Sequence, residues 1–437
     1  MKKSLSILFL FLSLSTFAQE IRFARIDSLL NYLYENDKFM GSLCIRLGDE
    51  VVFKHAYGFS EATKGVRANG ATKYKIGSIS KTFTATMIMQ LVEEKKILLS
   101  TKLNRFFPKI DQSDKITIEH LLYQRTGIKD YVNADSTLID VLEKPNTKEL
   151  ILKKIENYSS IFETDTKHEY SNSNYFILGL IIEKITKKSY TENLKTRISD
   201  KLQLKNTYYT NEKTDVSKRE SFSYMFNGDN WEQIEEWNND IAFSSGGIIS
   251  TPEDLTKFIY KLFKGNLVSP ASLELMKTLK DTYGMALYRF PFGERKFYGH
   301  GGKIEGFKST MGYYEKDDLT ISLIVNGENY SQNDIMIGIL SIYYKLPYPF
   351  PNFKKLDADL IQKYSGTFAS KEIPLKINVF EKEGNLLAQA TGQPSFPLTF
   401  SRDDVFVFAP AGIEMEFTSS KSFILKQGGQ KFNFTKE

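Results

Sequence analysis

The chain holds a single cysteine, Cys44, among 437 residues. An intramolecular disulfide is excluded, and so are zinc sites built from two or four thiolates. Cys44 stands in the strand-like run Ser42-Leu43-Cys44-Ile45-Arg46 and reads as a small buried hydrophobe. Histidine is also scarce. The four residues His55, His120, His168 and His300 form no His-x-x-x-His pair, so no metal site and no cofactor are expected. A Gly-x-Ser-x-Gly elbow is missing, which removes support for an α/β-hydrolase. The net charge of +5 is small for this length and no basic stretch is concentrated, so no nucleic-acid partner is expected.

Long apolar runs are missing as well, with one exception at the N-terminus. Lys2-Lys3 precede an apolar run from Leu5 to Leu14, followed by Thr16-Phe17-Ala18. A basic start, a short apolar core and small residues before a cleavage point describe a secretory signal peptide over residues 1–18. The run falls short of the roughly 20 apolar residues that cross a bilayer. No cysteine follows it to carry a lipid. The expectation is an exported protein, periplasmic or secreted, with no membrane span once the leader is removed.

What is present suits a folded core: 41% of residues are hydrophobic, and Tyr 24 and Phe 33 make the chain rich in aromatics. Ile21 to Tyr34 reads as an amphipathic helix with Ile26, Leu29, Leu30 and Leu33 on one side. Ser42–Leu47 and Val51–Tyr57 around Gly48-Asp49 read as a hairpin. A helix is expected from about Ser78 to Ile97, and residues 115–205 read as mostly helical, notably Tyr175–Thr186. Thr251-Pro252-Glu253-Asp254 carries a helix-start signature, with a Thr cap and Pro at the first helical position. Residues 283–327 alternate as strands do. The proline-rich Leu346-Pro347-Tyr348-Pro349-Phe350-Pro351 can continue neither a helix nor a central strand. This places a linker at 346–355 between a mixed domain, 19–345, and a small all-β domain, 356–437, of short strands in a barrel or sandwich.

Three short motifs can carry chemistry. In Gly77-Ser78-Ile79-Ser80-Lys81, a hydroxyl and an amine lie three residues apart at a helix start, on one face. A serine hydroxyl needs a base to become a nucleophile, and a lysine whose pKa is lowered by burial can serve. A helix start also offers free N–H groups to an oxyanion. Tyr170-Ser171-Asn172 lies in a polar loop leading into a helix, where a phenol can relay a proton and an amide can orient Lys81 and a substrate carbonyl. Tyr34-Glu35-Asn36 and Tyr131-Val132-Asn133 match the same pattern as ordinary surface positions. Tyr298-Gly299-His300-Gly301-Gly302-Lys303 places glycines in a strand, where a second backbone can come close. That suits an edge strand pairing with an acyl substrate.

In this order the motifs resemble the serine β-lactamase and penicillin-binding-protein superfamily, in its branch of class C β-lactamases, D-alanyl-D-alanine carboxypeptidases, D-aminopeptidases and esterases. Leu121-Leu122-Tyr123-Gln124-Arg125-Thr126-Gly127-Ile128 and Ser244-Ser245-Gly246-Gly247-Ile248-Ile249-Ser250-Thr251-Pro252 resemble it too, so the likeness covers about 25–345. It implies an α+β, β-lactamase-like fold, an antiparallel sheet flanked by helices with a helical subdomain. The C-terminal strands resemble the small barrel, lipocalin-like domains appended to some members. It further implies Ser78 as the acylated nucleophile, Lys81 as its activating partner, Tyr170 as general base and acid, and Asn172, His300, Gly301 and Gly302 as substrate-binding residues. The backbone N–H groups of Ser78 and Lys303 would form the oxyanion hole. One departure stands out. Class C β-lactamases carry Lys-Thr-Gly where this chain has His300-Gly301-Gly302, which removes a fixed ammonium and a hydroxyl that grip a substrate carboxylate. A histidine is only partly charged near neutral pH. The expected activity is that of an exported serine hydrolase acting through an acyl-enzyme on a peptide, ester or other small molecule, leaning to peptidase or esterase over β-lactamase. The competing expectation is an inactive or weak sensor that binds peptidoglycan fragments.

Overall fold

The computed structural model describes residues 21–133, 147–353, 358–382, 385–393, 395–402, 404–408 and 411–437. The leader expected at 1–18 lies outside the described residues. The chain divides into two compact units, Met1–Tyr343 and Tyr344–Glu437.

The first unit is organised on an antiparallel sheet. Helix α1, residues 21–35, buries Ile26, Leu29, Leu30 and Leu33. It leads into the hairpin β1 (Phe39–Leu47) and β2 (Glu50–Tyr57). Four more strands follow late in the chain: β3 (Tyr288–Phe292), β4 (Arg295–Ile304), β5 (Phe307–Tyr314) and β6 (Leu319–Glu328). The spatial order is β3-β4-β5-β6-β1-β2, so the N-terminal hairpin joins the sheet beside β6. Helix α4 (Pro252–Phe263) packs against β1, β5 and β6. Thr251 caps it by accepting the Asp254 N–H at 3.2 Å, with Pro252 in its first turn, as the Thr-Pro-Glu-Asp run predicts.

Between α4 and the helical residues runs α2 (Ser80–Glu93), buried from Ser80 to Leu91. Phe83 stacks on Phe258 of α4, ring centroids 3.7 Å apart. A helix buried all round needs its polar groups satisfied. The threonines of α2 do this with backbone carbonyls: Thr82 donates to Ala286, Thr84 to Ser244 and Thr86 to Thr82.

Two expectations are corrected here. The helix read from about Ser78 to Ile97 begins as a 3₁₀ turn, Gly77–Ile79, with the α-helix proper at Ser80–Glu93. Among the described residues of 115–205, which leave out 134–146, less is helical than the pattern implied: 157–171 contain no helix, and the next long one is α3 (Asn172–Thr186).

The second unit holds a helix, Ala358–Tyr364, and a nine-stranded antiparallel sheet. Its two edge strands, Phe396–Pro397 and Thr399–Arg402, are separated in the chain only by Leu398. They stand at opposite ends of the strand order, so the sheet curls round to bring them together. Phe368, Phe406, Met415, Phe423 and Phe434 fill its interior. Sequence periodicity misses the helix and the short strands Gly366–Ala369 and Thr399–Arg402, which offer too few residues for a period to show.

Candidate active site

The two backbone segments that meet here can approach because each carries a glycine. Gly77 has φ +53°, in the left-handed region, and a Cβ on it would lie 2.6 Å from the Lys303 amide nitrogen. On β4, a Cβ on Gly302 would lie 2.0 Å from the Ile76 carbonyl oxygen. β3 pairs with β4 only as far as Gly299. From His300 onward β4 keeps β5 on one side and runs beside the Gly77–Ser78 turn on the other. The edge anticipated from the glycines is therefore local, confined to the second half of an interior strand.

Ser78 is partly exposed, while Lys81, one turn on, is fully buried. The Lys81 Nζ donates to Asn172 Oδ1 and to the Ser245 carbonyl, both at 2.7 Å, and lies 3.1 Å from Ser78 Oγ. Burial lowers the Lys81 pKa to about 7, against a smaller upward pull from the Asp130 carboxylate. Near neutral pH a large share of the amine is then uncharged. Two of its three polar neighbours are carbonyls, which can only accept, so they take its two N–H bonds. The lone pair is left facing the Ser78 hydroxyl.

Tyr170 places its ring 4.8 Å from the Lys81 Nζ. Burial raises its pKa well above the ordinary phenol value, partly offset by a hydrogen bond with Ser78. It is a neutral phenol in the resting site. The Leu121–Ile128 segment holds it there. Gln124 accepts the Ser171 N–H at 3.2 Å and an Asn174 amide hydrogen at 2.5 Å, and its carbonyl accepts the Glu169 N–H at 3.0 Å. The Ser244–Pro252 segment contributes the Ser245 carbonyl that Lys81 meets.

Asn172 is the first residue of α3 and not part of a preceding loop. Its Oδ1 accepts from Lys81, and its Nδ2 donates to Asp130 at 3.0 Å. Each end of the amide makes one hydrogen bond inside the protein, which positions it against Lys81 and leaves one N–H and one lone pair of this half-buried side chain open. Of the other two Tyr-x-Asn copies, Tyr34–Asn36 lies elsewhere, while Tyr131–Asn133 borders the site through the Asn133 amide, which donates to Asp130. Tyr131 is buried and donates to the Ile241 carbonyl, and Tyr34 accepts from Arg67.

His300 differs most from expectation. It is 2% exposed and boxed by Tyr288, Tyr283 and Tyr170, ring centroids 4.9, 5.8 and 6.5 Å away. Its Nδ1 lies 2.5 Å from the Gly301 carbonyl, which only accepts, so Nδ1 carries the hydrogen. Nε2 then accepts from the Tyr283 hydroxyl at 3.1 Å. Burial lowers the pKa to about 3. The partial positive charge expected near neutral pH is absent, because desolvation outweighs the bond to Gly301. Gly301 itself is open: a Cβ there would meet only the Ser309 carbonyl, at 3.6 Å.

Sequence reasoning missed Asp130, Gln124, Tyr283, Tyr288 and the Ser245 carbonyl. A backbone carbonyl has no sequence signature. Asp130 stands immediately before the Tyr131–Asn133 copy of the Tyr-x-Asn pattern, the only local pointer to it. Among the described residues, no group of three or more His, Cys, Asp or Glu is placed to hold a metal ion.

A serine and a buried lysine at the head of a central helix, beside an antiparallel sheet, define a β-lactamase-like architecture. The sequence model of the Beta-lactamase family matches residues 37–338, and the chain belongs to that family. It is similar to a curated relative named teichoic acid D-alanine hydrolase from Staphylococcus aureus, 27% identical over 324 residues, 71% of this chain and 76% of the relative. Among solved structures it is similar to the D-amino acid amidase from Ochrobactrum anthropi SV3 complexed with L-phenylalanine amide, with 25% identity, TM-score 0.66, and coverage of 73% of this chain and 97% of that one. The octameric penicillin-binding protein homologue from Pyrococcus abyssi shares the fold at TM-score 0.69 and 21% identity, over 94% of this chain and 99% of that one. The relatives so matched in sequence are hydrolases of the serine β-lactamase superfamily, as the motifs imply.

Proposed function

We propose that this chain is an exported serine hydrolase that forms an acyl-enzyme on Ser78, with a D-amino-acyl amide, ester or short peptide as substrate. One observation carries the reading: both N–H bonds of a neutral Lys81 go to carbonyl oxygens, leaving its lone pair to the Ser78 hydroxyl. In the first step Lys81 takes the Ser78 proton while Oγ attacks the acyl carbonyl. The resulting oxyanion would lie between the N–H groups of Ser78 and Lys303, a reading supported by the close approach of the Gly77 backbone to Lys303. Tyr170 gives its proton to the leaving amine or alcohol and regains one from Lys81. Water then cleaves the acyl-enzyme by the reverse proton path. The raised pKa of Tyr170 favours this acid role, with Lys81 as the resting base, over a phenolate base.

The substrate class rests on two supports. The names of the relatives point to D-configured amino acids. The neutral His300 among tyrosines supplies no cation for a substrate carboxylate, which favours uncharged acyl groups over penicillin-like acids. Export is supported by the N-terminal leader pattern, and among the described residues no helix is long and apolar enough to cross a membrane.

The test is fluorophosphonate labelling read by intact mass and peptide mapping, alongside turnover of D-alanine and D-phenylalanine amides and esters. An adduct on Ser78 with D-selective turnover is expected. Absence of any adduct on a folded protein would return the chain to the sensor reading.

A further inference from the structure

We propose that Asp130 is a positioning residue that sets which way the Asn172 amide faces, and through it aims the Lys81 lone pair at Ser78. The inference rests on the acyl-enzyme reading above, and its test separates the two.

Among the described residues, the Asp130 carboxylate accepts four hydrogen bonds. Oδ1 takes the backbone N–H groups of Val132 at 3.1 Å and Asn172 at 3.2 Å. Oδ2 takes the amides of Asn133 at 2.6 Å and Asn172 at 3.0 Å. An ionised carboxylate has no hydrogen to give. It can bond the Asn172 side chain only through Nδ2, and the second bond, to the Asn172 backbone N–H, keeps the residue from swinging away. With Nδ2 held on Asp130, Oδ1 must face Lys81, where it accepts at 2.7 Å. Were the amide reversed, Nδ2 would offer a hydrogen to the lysine. The neutral amine would then spend its lone pair on Asn172, and its second N–H would point at Ser78. A base would become a donor to the group it must deprotonate.

Asp130 also acts on Lys81 through space. Among the described residues, the charged and titratable groups facing this amine are Asp130, the neutral phenols of Tyr170 and Tyr175, and the neutral His300. The carboxylate favours the protonated amine. Its removal therefore lowers the pH at which Lys81 loses its proton.

The experiment measures the rate of Ser78 acylation by a fluorophosphonate against pH in wild type, Asp130→Asn, Asn172→Leu and the double variant, with melting temperature measured in parallel. Asn at 130 can donate to Asn172 Oδ1 and so permits the reversed amide. The expected result for Asp130→Asn is a loss of at least tenfold in the plateau acylation rate and an acid limb moved to lower pH. The double variant should be no slower than Asn172→Leu alone, because the two residues act as one unit. A wild-type plateau rate in Asp130→Asn, or losses that multiply in the double variant, would overturn the proposal. So would a lower melting temperature with an unmoved acid limb, the mark of a merely structural role. Should Asp130→Asn not fold, Asp130→Glu decides. It keeps an acceptor-only carboxylate, so acylation within a few fold of wild type supports the proposal and a tenfold loss overturns it. A wild-type protein that never labels on Ser78 defeats the acyl-enzyme reading itself and is recognised before any variant is compared.

Discussion

Gly77 and Lys303 approach so closely that a β-carbon on the glycine would lie 2.6 Å from the lysine's amide nitrogen. The same glycine is held at φ +53°. Gly77→Ala therefore meets two penalties, a left-handed backbone that costs a side chain about 1–2 kcal/mol and a clash that forces β4 away from Ser78. The expected outcome is a folded protein of lower denaturation midpoint in which kcat falls more than KM rises, since an oxyanion donor acts in the transition state. Urea unfolding with steady-state kinetics checks it. By contrast Gly301→Thr has open space, and its melting temperature should match wild type.

Ser78→Ala should abolish hydrolysis with the fold intact. Lys81→Ala should be about as slow, and the double variant no slower than either, because a nucleophile and its base work together. The kcat/KM values of the three variants decide this, and multiplicative losses would mean that Lys81 does not serve Ser78.

The pH dependence follows from Lys81. In the proposed mechanism the neutral amine is the base, and burial lowers its pKa to about 7. As pH rises through that value the neutral fraction grows, so acylation should rise with an acid limb near pH 7 and then level off. His300, with its pKa near 3, stays neutral throughout and adds no limb. A pH profile of kcat/KM in wild type and His300→Gln checks this: the limb should keep its position in the variant.

Lys75 and Glu305 form a buried ion pair at 2.6 Å, 5% and 1% exposed, just outside the Gly77 and Lys303 contact. Glu305 also accepts the Trp237 N–H at 2.9 Å. Lys75→Met leaves a carboxylate buried without its partner and should cost about 3–5 kcal/mol. Lys75→Met with Glu305→Leu should recover part of that loss in urea titrations, because the more deeply buried of the two carboxylates facing Lys75 is gone, and Glu236, 3.5 Å from the lysine, keeps its bonds from Thr214.

A chain ending at Lys345 should fold and label on Ser78. The apolar cluster around α2 is built from residues of the first unit, and the second unit has its own cluster around Phe368 and Phe423. Circular dichroism and fluorophosphonate labelling of that chain check it.

The sequence by itself determined whatever depends on neighbours along the chain. Ser78 and Lys81 meet because three residues make about one helical turn. Thr251-Pro252 starts α4 through its own side chain, and Ile26, Leu29, Leu30 and Leu33 share a face by periodicity alone. The glycines of β4 signalled a close backbone approach, though not which backbone. Only the tertiary structure decided the states of the groups. His300 is neutral because Tyr170, more than a hundred residues away in sequence, packs with Tyr283 and Tyr288 around it and removes water from it. Lys81 titrates near 7 because α2 is buried on every side. The Asn172 amide, expected to orient Lys81 and a substrate carbonyl, faces Lys81 because a carboxylate forty-two residues earlier holds its other end. Protonation and amide orientation are set by desolvation and by partners in space, and packing supplies both.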